Sequence, residues 1–229
     1  MFIIYETEKF SFFWKPHGLP STFGKEKSFL DHLEENTLEF ETSDYKPIQK
    51  YIDSSLQKVQ NTQSAISHQI QNFTKDQEYW LLNRLDNDTA GFLYFAKDMS
   101  TFDDYRQLQA HNKIEKHYIA QVQGQIKDQT IDYPIMHRSL EKMIAIKDPK
   151  DLKKWRGKEH KVQTFVEVLN YDKKSDISTL LVKIHKWIRH QIRVHLASVG
   201  LPIIGDKIYW NSESGGVLHL RSIGFDVQK

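Results

Sequence analysis

Apolar and polar residues alternate along several segments of the chain with the period of two that is typical of β-strands. Residues 116–124, KHYIAQVQG, place Tyr118 and two aliphatic residues on one face. Residues 161–172 and 178–187 have strand patterns on either side of the short segment KKSDI, and they predict a β-hairpin. Further strands are predicted within residues 2–14, 81–86 and 216–227.

Three other segments have the spacing of an amphipathic helix: residues 27–36, 98–112 and 189–200. Ser28 and Asp31 form a capping box at the start of the first helix, and Ser100 or Thr101 is expected to cap the second. Strands in hairpins with a few helices between them predict an α+β fold. In this fold, flanking helices pack on a mixed, largely antiparallel central sheet.

The chain of 229 residues is long enough to bury a sizeable core. Residues 36–76 are polar and weakly patterned, so we interpret them as an insertion and predict a single domain over residues 1–229. The sequence contains neither a membrane-spanning apolar run nor a signal peptide. It also contains no cysteine, which excludes disulfides and thiolate sites and favours the cytoplasm.

The formal net charge of +2 does not by itself indicate a nucleic-acid partner, but the cations are unevenly distributed. Residues 137–161 contain nine cationic and four acidic residues. Residues 183–193, KIHKWIRHQIR, contain four cations and a tryptophan but no acidic residue. Cations interleaved with an aromatic side chain suit a phosphate backbone with a stacked base. For residues 147–161 taken alone, a solvated lysine-rich loop is an equally good interpretation.

Arg84 and Asp86 lie between the apolar runs of residues 80–97, WLLNRLDNDTAGFLYFAK. If LLNRLD is a strand, both side chains project from one face, and a turn after Asp86 would hold its carboxylate rigid and open to a ligand. A structural ion pair is the alternative. A calcium loop is excluded, because Ala90 and Lys97 stand at ligand positions. No zinc site is expected, because the C-terminal histidines are five residues apart rather than four.

Residues 83–97, NRLDNDTAGFLYFAK, resemble the HRLDxxTSGLLLFAK signature of the RluA-type family of RNA pseudouridine synthases. Other blocks resemble this family in the same order: WKPHGLPS, KHYIAQVQG, HQIRVHLASVGLPIIGDKIY and LHLRSIGF. The resemblance extends from about residue 9 to residue 225. It implies a catalytic domain without a cofactor, which isomerises a uridine of structured ribosomal or transfer RNA to pseudouridine.

The resemblance also implies roles for individual residues. Asp86 would be the nucleophile that attacks the sugar or the base, and Arg193 would pair with it. Tyr118 would stack on the target base and take the C5 proton. The predicted substrate-binding residues are Arg84, Arg189, His190, Gln191 and Ile192. A fixed arginine keeps a carboxylate ionised, and cations with an aromatic platform offset the cost of flipping a base out of its helix. The expected partner is an RNA stem-loop bound by a monomer, with no metal and no membrane.

The sequence departs from the family pattern at three places. Asn83 stands where the family has histidine, and Ala90 stands where it has serine. Ile188 replaces the usual arginine before HQIR, with Arg189 beside it. No accessory N-terminal RNA-binding domain is expected. The changed segment leaves open a non-catalytic RNA-binding protein, whereas a glycoside hydrolase would need a second carboxylate in the pocket.

Overall fold

A computed structural model describes residues 3–35, 80–139, 141–148, 150, 157–210 and 216–228. Within these ranges there are three helices and ten strands. The helices are α1 (Phe29–Glu35), α2 (Met99–Ala110) and α3 (Gln191–Ser198). The strands are β1 (Ile3–Glu6), β2 (Phe10–Lys15), β3 (Ala90–Ala96), β4 (Ile114–Gln123), β5 (Gln129–Ile131), β6 (Ile135–His137), β7 (Met143–Ala145), β8 (Thr164–Asp172), β9 (Ile177–Ile184) and β10 (Leu220–Val227).

The chain contacts divide into two compact units. The first unit comprises Met1–His111 and Arg221–Gly224, and the second comprises Asn112–Leu220 and Phe225–Lys229. Strand β10 therefore contributes residues to both units. The single domain inferred from the sequence stays a prediction, and the inferred insertion at residues 36–76 lies outside the described residues.

The sheet of the first unit has the order β1-β2-β3-β10. Strands β1, β2 and β3 are antiparallel neighbours, whereas β10 runs parallel to β3 and pairs with its first two residues. All seven residues of β3 are buried. Gly91 in β3 is required by this parallel pair, because a Cβ atom there would lie 2.3 Å from the backbone nitrogen of Ser222.

The second unit contains strands β4, β9, β8 and β5 in that order, and each adjacent pair is antiparallel. A separate two-stranded ribbon is formed by β6 and β7. One core cluster in this unit consists of Ile135, Met143, Val162 and Val194, and Ile188 packs against it. Helix α3 is joined to the β6–β7 ribbon through this cluster.

The α+β class and the mixed, mostly antiparallel sheet are confirmed. The predicted hairpin is β8 and β9, and the capping box of α1 is present, with Ser28 N–H 2.8 Å from the Asp31 carboxylate. The predicted cap of α2 is wrong. Its N-cap is Asp98, whose carboxylate accepts the Thr101 N–H at 2.7 Å because its own backbone is still extended.

Among the described helices, none combines the length and apolar character that crossing a membrane requires.

Candidate active site

Residues 81–86 form a segment that leads into a tight turn. The prediction of a strand over this segment is wrong. Leu81 makes one isolated bridge with Phe95, and residues 82–86 belong to no strand. The turn is closed by a 2.9 Å hydrogen bond from the Thr89 N–H to the Asp86 carbonyl. Arg84 is exposed and Asp86 is half-buried. The segment therefore presents the Asp86 carboxylate at the start of a hydrogen-bonded turn.

Two buried side chains provide the hydrogen bonds that a strand partner would otherwise make. Asn83 donates to the Phe92 carbonyl at 3.1 Å and accepts the Tyr94 N–H at 2.8 Å. The Ser21 hydroxyl accepts the Leu85 N–H at 3.0 Å and donates to the Leu85 carbonyl at 2.9 Å. A buried backbone group without a partner costs about 1–3 kcal/mol. These two side chains therefore fix the path of the segment, and Asn83 has a structural task.

A buried lysine joins the turn to the loop that follows β2. The Lys15 side chain has no solvent exposure, and its ammonium group donates to three carbonyls, those of Pro16, Leu19 and Asn87, at 2.9, 2.7 and 3.0 Å. Burial lowers the pKa of Lys15 to about 7, although the two aspartates of the turn oppose the change. Below about pH 7, Lys15 therefore places a positive charge next to the turn that contains Asp86.

His17 makes a second connection between this loop and the turn. Its Nδ1 lies 2.6 Å from the Asp88 carbonyl, so Nδ1 is the protonated ring nitrogen. Burial is the largest cause that lowers the pKa of His17 to about 4, and the Arg221 charge acts in the same direction. The ring is therefore neutral near pH 7.

The second unit contains a buried ion pair. Arg193, in the first turn of α3, donates from Nε and Nη2 to the two carboxylate oxygens of Asp206 at 2.8 and 2.7 Å. The two side chains are 2% and 0% exposed. The same carboxylate accepts the backbone N–H groups of Ile208 and Tyr209. Asp206 was missed in the sequence, although the matched GDK motif contains it, and it holds two of the three guanidinium nitrogens of Arg193.

The residue before Asp206 has to be glycine. Gly205 has a φ of +76°, and a Cβ atom there would lie 2.2 Å from the Val217 carbonyl oxygen. Any larger residue would push these two backbone segments apart and move Asp206 with them. The Gly-Asp pair therefore fixes the carboxylate that holds Arg193.

His190 and Arg189 precede α3. His190 has a left-handed backbone with a φ of 56°, and its Nδ1 is hydrogen-bonded to the Tyr209 hydroxyl at 3.2 Å. Burial, followed by the neighbouring arginine charges, lowers the pKa of His190 to about 4. His190 is therefore neutral near pH 7 and lies inside the second unit, while Arg189 is partly exposed.

Gln191 and Ile192 are also buried. Gln191 donates to the Gln163 carbonyl at 2.9 Å and accepts the Ile188 N–H at 3.1 Å. Ile188 packs against the core of the second unit, which accounts for an apolar residue at this place. The predicted contact of Gln191 and Ile192 with substrate stays a prediction, and in this structure the hydrogen bonds of Gln191 hold the start of α3 in position.

Tyr118 lies in β4, directly opposite Val182 of β9, and is 2% exposed. Of the predicted site residues, the structure groups Arg84 with Asp86 in the first unit. It groups the remainder in the second unit, where residues 189–193 surround the start of α3. The catalytic roles of Asp86, Tyr118 and Arg193 stay predictions.

One cluster in the second unit has the composition of a metal site. Among the described residues, Glu115, His117 and Asp226 have ligand atoms within 4.8 Å of one another. The Glu115 carboxylate already lies 2.8 Å from His117 Nε2 and 3.6 Å from His185 Nε2, and Asp226 is exposed. A hydrogen bond between His117 and Glu115 accounts for the shorter of these contacts.

The arrangement of these residues can be compared with known proteins. The sequence profile described as RNA pseudouridylate synthase matches residues 9–198. The chain belongs to the RNA pseudouridylate synthase family.

Similar sequences carry the same family name. An RNA pseudouridine synthase of Aquifex aeolicus, described as uncharacterized, is 37% identical over 56% of this chain and 39% of its own length. Ribosomal large subunit pseudouridine synthase D of Nitrosomonas europaea is 37% identical over 56% of this chain and 35% of its own length. The match thus spans less than two fifths of either relative.

Solved structures of pseudouridylate synthases share the fold. Human RNA Pseudouridylate Synthase Domain Containing 1 superposes with a TM-score of 0.66, at 17% identity, over 98% of this chain and 77% of its own. Human RNA Pseudouridylate Synthase Domain Containing 4 superposes with a TM-score of 0.59, at 19% identity, over 96% of this chain and 81% of its own. The pseudouridylate synthase match contains every site residue predicted from the sequence, whereas Asp206 lies just beyond it.

Proposed function

We propose that this protein isomerises a uridine in structured RNA to pseudouridine, with Asp86 as the catalytic nucleophile. The observation that carries the proposal is the fixed position of Asp86. Its half-buried carboxylate begins a turn that Ser21, Asn83 and Lys15 hold in place, within a chain of the pseudouridylate synthase family. A nucleophile held by its surroundings loses little entropy when it attacks.

The reaction requires no net gain or loss of atoms. The bond between C1′ and N1 of the uridine breaks, a bond between C1′ and C5 forms, the C5 proton leaves, and N1 gains a proton. The Asp86 carboxylate attacks either the sugar or the base in this scheme, and the resulting covalent intermediate divides one difficult step into two. No metal or cofactor has a role in it.

Tyr118 and Arg193 are proposed to act on the same uridine as Asp86. Tyr118 provides an aromatic face for the base and takes the C5 proton, and its backbone is held in β4 by the antiparallel pairing with β9. Arg193 is proposed to balance the negative charge of Asp86 during the reaction, and its guanidinium group is oriented by Asp206. Arg84, which is exposed, contacts the RNA and helps to displace the base.

The proposed partner is a stem-loop of ribosomal or transfer RNA. The name of the Nitrosomonas europaea relative refers to the large ribosomal subunit, which supports ribosomal RNA as the first substrate to test. The partly exposed Arg189 is a candidate phosphate contact.

The test is to map pseudouridines in cellular RNA from cells with the protein, without it, and with Asp86→Asn in its place. We expect at least one pseudouridine that depends on the protein and is absent with Asp86→Asn. The matched control combines Asp86→Asn with Asn87→Asp, which restores a carboxylate one residue later. This double variant should still form no pseudouridine at that site. A site retained in the Asp86→Asn cells would contradict the proposed nucleophile.

A further inference from the structure

A cavity of about 470 Å³ lies in the second unit, and none of the residues assigned above to the reaction lines it. Its lining includes six polar or charged side chains: Asn112, Asp132, Lys161, Gln163, His185 and Lys186. The volume falls in the range of sites for small molecules or single nucleotides.

The strand register explains why these residues meet. Ile131 of β5 is opposite Thr164 of β8, and Phe165 of β8 is opposite Lys183 of β9. Strand β4 begins at the same edge, where Lys116 is opposite Ile184. At this edge β4 and β8 begin, and β5 and β9 end. The cavity is lined by residues that lie just outside these strand ends.

Two walls of the cavity are fixed by hydrogen bonds from α3. Gln191 holds the Gln163 carbonyl at 2.9 Å. His195 donates from Nε2 to the Tyr133 carbonyl at 2.9 Å, between the lining residues Asp132 and Pro134. A cavity whose walls are already fixed loses little entropy when a ligand binds.

The lining combines groups that recognise a nucleotide. Lys161 and Lys186 are exposed cations for a phosphate, and the Asn112 and Gln163 side chains offer amide donors and acceptors. His185 has a buried Nδ1 atom without a hydrogen-bond partner in the described part of the chain. A bound polar group would satisfy this atom, which favours a ligand with hydrogen-bonding edges.

An aromatic residue adjoins the cavity lining along the chain. Trp187 follows the lining residue Lys186 and is 36% exposed, although tryptophan is usually well buried. Its neighbour Ile188 is anchored in the core, so the backbone beside Trp187 is held in place. An exposed indole among cations is the arrangement that stacks on a base of single-stranded nucleic acid.

We propose that this cavity and Trp187 bind one nucleotide of single-stranded RNA outside the reacting uridine, with its base on Trp187 and its phosphate at Lys161 and Lys186. This site rests on the proposed function, because it assumes an RNA substrate. It would select RNA whose target uridine is flanked by an unpaired nucleotide.

The test measures the affinity of the full-length protein for a short fluorescent single-stranded oligoribonucleotide of mixed sequence. Trp187→Ala should raise Kd by about 5- to 150-fold, the loss expected for one stacked base, whereas Trp187→Phe retains an aromatic face and should bind close to wild type. Lys161→Gln should reduce the slope of log K against log salt by about 0.7, since one phosphate contact is lost. Lys173→Gln, at the exposed turn between β8 and β9, is the matched control.

Equal effects of Lys161→Gln and Lys173→Gln, or no effect of Trp187→Ala, would overturn the site. Displacement of the oligoribonucleotide by an equal concentration of uridine monophosphate would assign the cavity to a free nucleotide and also overturn it. If the Trp187 variants bind as predicted but the wild type forms no pseudouridine, the proposed function fails while this site stands. If Asp86→Asn abolishes pseudouridine formation and the cavity variants bind RNA like the wild type, the proposed function stands and this site fails.

Discussion

Lys15 shows how one side chain supports the candidate nucleophile. A fully buried ammonium group is unfavourable unless its hydrogen bonds are made, and here three carbonyls accept them. The cost of burial remains visible in its lowered pKa of about 7. The benefit, below about pH 7, is a positive charge within the loop that holds the Asp86 turn.

The lowered pKa of Lys15 predicts a pH dependence of stability. Below about pH 7 Lys15 is charged in both states, and the full burial cost is present. Between about 7 and its unfolded value of 10.5, the unfolded chain binds more protons than the folded protein, so the free energy of unfolding rises with pH. Relative to Lys15→Met, the wild type should gain at most about 1.4 kcal/mol per pH unit in this window.

Urea denaturation of both proteins between pH 6 and pH 9 would measure this gain. Lys9→Met, which removes an exposed cation, is measured in parallel to correct for net charge. A free-energy difference between wild type and Lys15→Met that stays constant above pH 7 would contradict the prediction.

Asn83 marks a limit of prediction from sequence at this scale. The apolar pattern of residues 81–86 predicts a strand. It does not show that the Asn83 side chain amide makes hydrogen bonds to the backbone of β3. The polar residue inside the pattern was the available signal. The tight turn after Asp86 could be predicted because its residues are typical turn formers.

Helix α3 is the element whose position decides where Arg193 lies. Its buried pair with Asp206 is strong only while both charges are present, because either charge alone would be buried without compensation. Gln191 and His195 connect the same helix to β8 and to the loop before β6.

Asp206→Asn should lower the free energy of unfolding by about 3 kcal/mol, since it leaves the Arg193 charge buried and unbalanced. Urea denaturation near pH 7 measures the loss. Glu167→Gln is the matched control, because it breaks the partly exposed Lys183–Glu167 pair at 3.2 Å. That change should cost less than about 1 kcal/mol. Equal losses in the two variants would show that the buried pair contributes no more than the exposed one.

Local patterns predicted the elements that depend on local structure. The β8–β9 hairpin and α3 were found because their signals lie within a few residues of one another. The pairing of Arg221 with Ala90 joins positions 131 residues apart, and no local pattern contains it. The short ribbon of β6 and β7 has only three residues in each strand, too few for a clear period.

At the scale of the whole molecule, β10 makes each unit dependent on the same strand. A fragment of residues 1–111 retains β1, β2 and β3 but loses β10, the parallel partner of β3. All seven residues of β3 are buried in the intact protein, so the fragment would expose an apolar strand edge. We expect it to aggregate, as measured by size-exclusion chromatography with light scattering. A monodisperse fragment with slow amide exchange in β3 would contradict this expectation.

The shared strand also has a consequence for how the protein is made. Ala90 leaves the ribosome 131 residues before Arg221, and at a synthesis rate of about 5–20 residues per second this delay is on the order of ten seconds. During that interval the beginning of β3 has no parallel neighbour of its own. A nascent chain in this state presents an apolar strand to the cell before its sheet is complete, so a chaperone that recognises such strands has a defined target here.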